Sequence, residues 1–179
     1  LGSTVTDADG TRQAVIMFPQ GTQAELLLSD NSLQSISTLT VRSTEYSNGN
    51  NRNKALPGEL PEHVGNAYVN EISVDEAIAV GAREVRFNQP ITTYVDNFLG
   101  LPVGGLVPSG YYDKVKSEWM SSDDGRIIAI LSIANGMAEL DVDGSGLAAN
   151  ATTLASLGIT DAERQQLATL YAPGKSLWR

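Results

Sequence analysis

Seven residues near the end of the chain, Asp141-Val-Asp143-Gly144-Ser145-Gly146-Leu147, carry the oxygen spacing of a cation loop. Calcium takes about six to eight oxygens at roughly 2.4 Å. Loops that supply them alternate side-chain ligands, turn on a glycine at the sixth place and offer a backbone carbonyl at the seventh. Here Asp141, Asp143 and Ser145 alternate, Gly146 holds the sixth place and the Leu147 carbonyl the seventh. The twelfth place is Thr152, where a bidentate Glu is usual, and Ser145 is a poor ligand. The loop is a candidate calcium site with a degraded ligand set, and calcium is the one cofactor the sequence suggests. The competing reading is a plain Asp/Gly turn. Asp7-Ala-Asp9-Gly10 offers a second, shorter acidic turn.

Tyr111, Tyr112 and Trp119 form the other candidate. Aromatic faces bind the apolar faces of sugars, so three rings this close suggest a platform. Strand alternation equally sends such rings to core and rim. His63, the single histidine, follows Glu62. With no Cys and no second His it makes no zinc site, and as a general base it needs a partner brought near in space. The pair Asp75-Glu76 suits a helix first turn and Asp123-Asp124 a turn, so neither requires catalysis. Gly100, Gly104 and Gly105 lack the Gly-Lys-Ser/Thr sequel of a phosphate loop. They read as positions that need positive φ or close backbone approach. Asn150-Ala-Thr152 matches a glycosylation acceptor and reads as chance.

The chain has 179 residues, enough for one domain with an ordinary core. Its formal net charge of −9 and scattered basic residues argue against nucleic acid, which needs clustered Lys and Arg. No stretch approaches the ~20 apolar residues that span a bilayer. Absence of Cys removes disulfides, thiol nucleophiles and thiolate metal sites.

The elements that must position these residues read mostly as short strands between turn signals. They cover 13–18, 24–28, 36–46, 67–72, 84–87, 91–95, 126–133 and 137–142, with a strand and turn over 110–119. Residues 47–54 read as a polar, Asn-rich loop. Asp123-Asp-Gly125 predicts a tight turn and Asn135-Gly136 a hairpin. Ser73-Val-Asp-Glu76 predicts a capping box opening a helix near 74–80, with Gly81 as its C′ residue. Thr160-Asp-Ala-Glu163 predicts a second box and a helix over 161–171, stopped by Pro173-Gly174. The expected fold is mainly β and sandwich-like, with a short internal helix and a C-terminal helix. Residues 1–140 form the β domain, and 141–179 add the acidic loop and a helix packed on it, as one structural unit.

The densest run of aromatics, glycines and prolines is Tyr94-Val-Asp-Asn-Phe-Leu-Gly-Leu-Pro-Val-Gly-Gly105, with Val107-Pro-Ser-Gly-Tyr-Tyr-Asp113, Trp119 and Asp124-Gly-Arg-Ile-Ile128. This run resembles a segment that precedes the repeat shell in large bacterial secreted proteins with RHS/YD repeats. Residues 9–22, 39–46, 60–61, 72–77 and Leu177-Trp-Arg179 resemble the same region. The opening is more distantly similar to ZU5-type β-sandwich domains. Some of those cleave themselves at a His-Phe-Ser site, but here His63 is followed by Val-Gly. The resemblance implies a non-catalytic structural or assembly module of a bacterial extracellular or cell-surface protein. Its expected partners are neighbouring modules of the same long chain or copies of itself, with no nucleic acid and no membrane insertion. The alternative expectation is an adhesin-like or carbohydrate-binding module built on Tyr111, Tyr112 and Trp119.

Overall fold

The computed structural model describes residues 1–46, 56–58 and 68–179. His63, the whole Asn-rich loop at 47–54 and the start of the strand expected at Ala67 lie outside them. In chain order the elements begin with β1 (Val5–Asp7), β2 (Gly10–Arg12), β3 (Ala14–Met17), β4 (Ala24–Leu27), β5 (Leu33–Ile36) and β6 (Val41–Glu45). Then come β7 (Asn70–Val74), α1 (Asp75–Ala79), β8 (Glu84–Phe87), β9 (Thr92–Asp96) and β10 (Leu106–Val107). The remainder is β11 (Gly110–Asp113), β12 (Glu118–Ser121), β13 (Gly125–Ala134), β14 (Met137–Asp141), α2 (Ala151–Ser156), α3 (Asp161–Leu170) and β15 (Ser176–Trp178). The described chain is mainly β, with antiparallel sheets and short helices, as its alternating apolar runs predict.

The contacts cluster into two units. The first comprises Leu1–Ser3 and Ile16–Thr92, the second Thr4–Val15 and Thr93–Arg179. In the first, β4 lies between β5 and β8, and β6 pairs β7 in register from Val41↔Val74 to Glu45↔Asn70. One core cluster buries Leu26, Val74 and Ala77, with Leu28, Ile36, Leu39, Val41, Ala82 and Val85 packed around them, and Met17 and Ala24 are buried as well. The strand expected over 36–46 is in fact two, because the chain leaves β5 at Ile36 and re-enters a different sheet at Val41.

The α1 start corrects the first capping box. Its N-cap is Val74, with no side-chain cap. Ser73 is committed to β7 opposite Arg42, so it cannot also cap. Glu76 instead accepts from the Thr40 amide at 2.9 Å and the Thr40 hydroxyl at 2.8 Å. Gly81 does close the helix, at φ +63.

The second unit is built on a sheet ordered β10-β13-β15-β9-β3, with β14 also on β13. Its core holds the larger apolar set, including Tyr94, Ile127, Ile128, Ile130, Leu140, Leu167 and Leu177, each at most 1% exposed. The hairpin at Asn135-Gly136 has φ of 52 and 75, both left-handed as a type I′ turn demands. The second capping box is present: the Thr160 hydroxyl accepts from the Glu163 amide, and the Glu163 carboxylate accepts from the Thr160 amide. The tight turn expected at Asp123-Asp-Gly125 is absent, because β12 ends on β11 and β13 begins on other partners. Gly125 is required for another reason: a Cβ there would sit 2.9 Å from the Arg179 carbonyl.

Candidate functional site

β13 has two edges, and both are occupied. β15 runs along one, with Ile127↔Trp178, Ile128↔Leu177 and Ala129↔Ser176 paired. The other is shared end to end. β10 takes Gly125–Arg126, β14 takes Ala129–Ala134, and Ile127 exchanges hydrogen bonds with Gly104 and Gly105 between them. Where the two segments abut, space is minimal. A Cβ on Gly104 would lie 2.4 Å from the Asp143 carbonyl carbon, and one on Gly144 2.6 Å from the Val103 oxygen. Both glycines also have left-handed φ, +84 and +82. Arg126 ties the junction by donating to the carbonyls of Gly104 (3.1 Å) and Val142 (3.2 Å).

The Asp141–Leu147 loop is the turn that lifts the chain off this edge. The buried Asp141 carboxylate accepts three amide N–H groups, from Asp143, Gly144 and Gly146, at 2.8–3.1 Å. Asp143 accepts from the Ser145 amide at 3.0 Å, and the Ser145 hydroxyl from the Leu147 amide at 3.3 Å. The Ser145 hydrogen bonds hold the Asp143 carboxyl below its ordinary range. Each oxygen side chain of the candidate calcium set therefore serves a backbone donor, and the Asp-Gly pattern is accounted for by turn chemistry. Leu147 is exposed.

The 97–105 loop is held by Asn97. Its side-chain oxygen accepts from the Leu101 amide and the Trp178 indole, and its NH₂ donates to the Leu101 carbonyl and the Ser176 hydroxyl. That uses all four hydrogen-bonding positions of the amide. Phe98 lies on the Trp178 ring with centroids 5.1 Å apart. The Arg12 guanidinium lies 4.5 Å from the Phe98 centroid. Arg12 is 1% exposed and forks onto both Asp7 oxygens at 2.9 Å. This explains the acidic turn at Asp7-Ala-Asp9-Gly10: Asp7 neutralises a buried cation.

Arg179 closes the far end of the sheet. Its guanidinium donates to the Glu163 carboxylate (2.8 Å), the Tyr94 hydroxyl (3.2 Å) and the carbonyls of Leu157 and Gly158. Tyr94 donates to Glu163 at 2.5 Å. Burial first, and the neighbouring Glu163 charge second, push the Tyr94 hydroxyl far above its ordinary range. Arg12, Asn97 and Arg179 did not emerge from sequence reasoning. The readable signal was a cation or amide beside apolar aromatic pairs, as in Asn97-Phe98 and Trp178-Arg179.

The aromatic candidates do not form one platform. Tyr112 faces Trp119 across β11–β12, with rings 5.5 Å apart and inclined at 67°, so each covers part of the other. Tyr111 pairs with Met120, and strand alternation sends it to the opposite face of the hairpin, where it is exposed. In the first unit an apolar groove of about 300 Å³ opens beside the edge-to-face pair Phe18–Phe87, lined also by Ile72, Val74 and Val85. Among the described residues no three Asp, Glu or His side chains converge as a metal group, and no helix is long and apolar enough to cross a membrane.

Comparison with known proteins returned no matching family model, no matching curated protein and no matching solved structure.

Proposed function

We propose that this chain is a non-catalytic structural or assembly module of a large bacterial extracellular protein. One observation carries the reading: its buried charged side chains are spent on partners within the fold. Arg12, Asp141 and Glu163 are the buried charged residues among those described, and each has its partners inside the second unit. Groups satisfied this way gain rigidity and have little left to offer a substrate. The module presents a fixed sheet and a stiff 97–105 loop to neighbouring segments of the same long chain. The resemblance to the region preceding RHS/YD repeats supports the extracellular setting.

The test uses the long natural polypeptide. Gly104→Ala is expected to lower its assembly and its resistance to protease. A triple Ala variant at Tyr111, Tyr112 and Trp119 is expected to leave both unchanged. The opposite pattern, with loss of glycan binding in the aromatic variant, would replace the scaffold by a carbohydrate-binding module.

A further inference from the structure

The apolar groove of the first unit is bordered by an open sheet edge. β8 is the outer strand of the sheet β5-β4-β8. In an antiparallel ladder, every second residue of an edge strand turns its N–H and C=O away from its neighbour. The phase is fixed here by the Asn88 amide, which donates to the Gln23 carbonyl. Counting back along the register, Glu84 and Arg86 bond to β4, and Val85 and Phe87 turn their main-chain groups outward. Among the described residues no donor or acceptor meets those groups. The chain does close an edge elsewhere: on β14 the Ala138 carbonyl accepts from Arg164 and the Leu140 carbonyl from the Ala149 amide. The side chains of Val85 and Phe87 line the groove, with Phe18 beside them and Val41, Ile72 and Val74 from β6 and β7. The groove lies wholly within the first unit, holds about 300 Å³ and is lined by apolar residues throughout.

From this juxtaposition we infer that β8 is an acceptor edge, and that its occupant is an extended segment of a partner polypeptide that adds as a strand. Lying antiparallel, the segment exchanges a pair of hydrogen bonds with each of Val85 and Phe87. Its residues opposite these two share their face of the sheet and enter the groove, about 7 Å apart. Both must be apolar, because a polar side chain there is desolvated without a partner. The residue between them lies opposite Arg86, on the other face, and takes a polar side chain. A lipid or other small apolar molecule would fill the volume and leave the main-chain groups unmet, so the edge selects a peptide. The formal charge of −9 on the chain favours basic residues flanking the added strand, chiefly through the rate of encounter. This goes beyond the scaffold reading, which rests on the second unit, so the two fail independently.

The probe is a short synthetic peptide with valine at two alternate central positions, threonine around them and lysine at both ends. It is titrated into the nitrogen-15-labelled chain, and amide exchange is followed by NMR. Exchange at Val85 and Phe87 is expected to slow by roughly tenfold or more, while Glu84 and Arg86, already bonded to β4, stay as they were. A twin peptide N-methylated at both valine amides keeps the charge and the side chains but loses the donors. It is expected to bind roughly tenfold more weakly. Ile72→Lys charges the groove at an exposed wall residue and is expected to weaken the probe by a similar factor. No protection of Val85 or Phe87 at millimolar peptide overturns the inference. Equal binding of the methylated twin also overturns it and leaves a pocket for small apolar molecules. Both readouts use the unsubstituted chain, so they decide the matter even if the Ile72 variant unfolds. Light scattering of the chain alone is expected to show a monomer. A dimer in which Val85 and Phe87 are protected would make a second copy the occupant and overturn the inference as well.

Discussion

The two units hold themselves together by different means. In the first, the described core buries few apolar side chains, Met17, Ala24, Leu26, Val74 and Ala77, and the ion pairs among its described residues lie at the surface. Arg42–Asp75 is 66% and 33% exposed and Arg86–Glu84 about half exposed at both ends. The second has surface pairs too, such as Lys116–Asp113 and Lys175–Asp96, but two of its pairs lie inside: Arg12–Asp7 at 1% and 19%, Arg179–Glu163 at 19% and 9%. Exposed pairs contribute roughly 0–1 kcal/mol, whereas breaking a buried one costs about 3–5 kcal/mol. Directional, buried polar contacts fix one backbone arrangement. The first unit has fewer such constraints among its described residues. The contrast teaches where this chain invests its specificity: in the unit that contains the dense Tyr94–Arg126 run.

The sharpest way to break the contrast is a pair of glycine substitutions. Gly104→Ala combines left-handed strain with a collision against Asp143 backbone, and is expected to cost about 4 kcal/mol. Gly81→Ala in the first unit meets open space and should cost about 1 kcal/mol, the φ term alone. Urea unfolding followed by tryptophan fluorescence measures the first, since both tryptophans, Trp119 and Trp178, belong to the second unit. Amide exchange in β6 and β7 measures the second. Equal costs would erase the distinction.

Next come the ion pairs. Glu163→Gln leaves the Arg179 guanidinium facing a neutral amide and is expected to cost about 3 kcal/mol. Arg42→Ala, at an exposed and solvent-screened pair, should leave stability nearly unchanged. Chemical denaturation of both variants decides it, and a larger loss for Arg42 would invert the comparison.

Alkaline titration comes third. The folded Tyr94 hydroxyl is raised above its ordinary value of 10.0. A group with a raised folded pKa stabilises fully below its unfolded value and loses that stabilisation as pH rises beyond it. Fluorescence-detected stability of the second unit should therefore fall above pH 10, and Tyr94→Phe should flatten the fall. Tyr171, pushed up to about 12 by burial and by Asp96, adds a smaller slope of the same sign. An unchanged slope in Tyr94→Phe would remove Tyr94 from the account.

The smallest expected effect concerns calcium. Because amide N–H groups already face the Asp141 carboxylate, adding calcium or a chelator should leave the melting temperature unchanged, with no heat in calorimetric titration. A clear rise would return Asp141, Asp143, Ser145 and the Leu147 carbonyl to a cation site.

Much of this was legible in the residues. Period and punctuation gave the strands at 84–87 and 126–133, the hairpin at Asn135-Gly136 and the capping box at Thr160–Glu163, because local chemistry decides each. Several elements were not legible, among them β1, β2, β5, β10, α2 and β15. Ser176–Trp178 has too few residues to show a period, and only its two neighbours in the sheet make it a strand. Leu106–Val107 has the same defect. The α2 start looked like a glycosylation acceptor, yet the Asn150 side chain accepts from the Thr153 amide and caps the helix. The Asp141 loop shows the remaining ambiguity: oxygens at alternating positions suit a cation and a set of amides alike, and sequence does not say which donors arrive.

The abutment at Gly104 and Gly144 also sets where the chain tolerates added length. Two segments fill one edge of β13 end to end, so a residue inserted at 103–105 or 142–144 has no room to bulge and shifts the register of β10 or β14. The Lys114–Ser117 turn carries no such limit. Its tip residue Val115 is 81% exposed, and the turn is hydrogen-bonded back to Asp113 and Met120 of its own hairpin. A peptide tag, a fluorophore or a natural insertion is accommodated there, on a hairpin that no other strand of the sheet depends on.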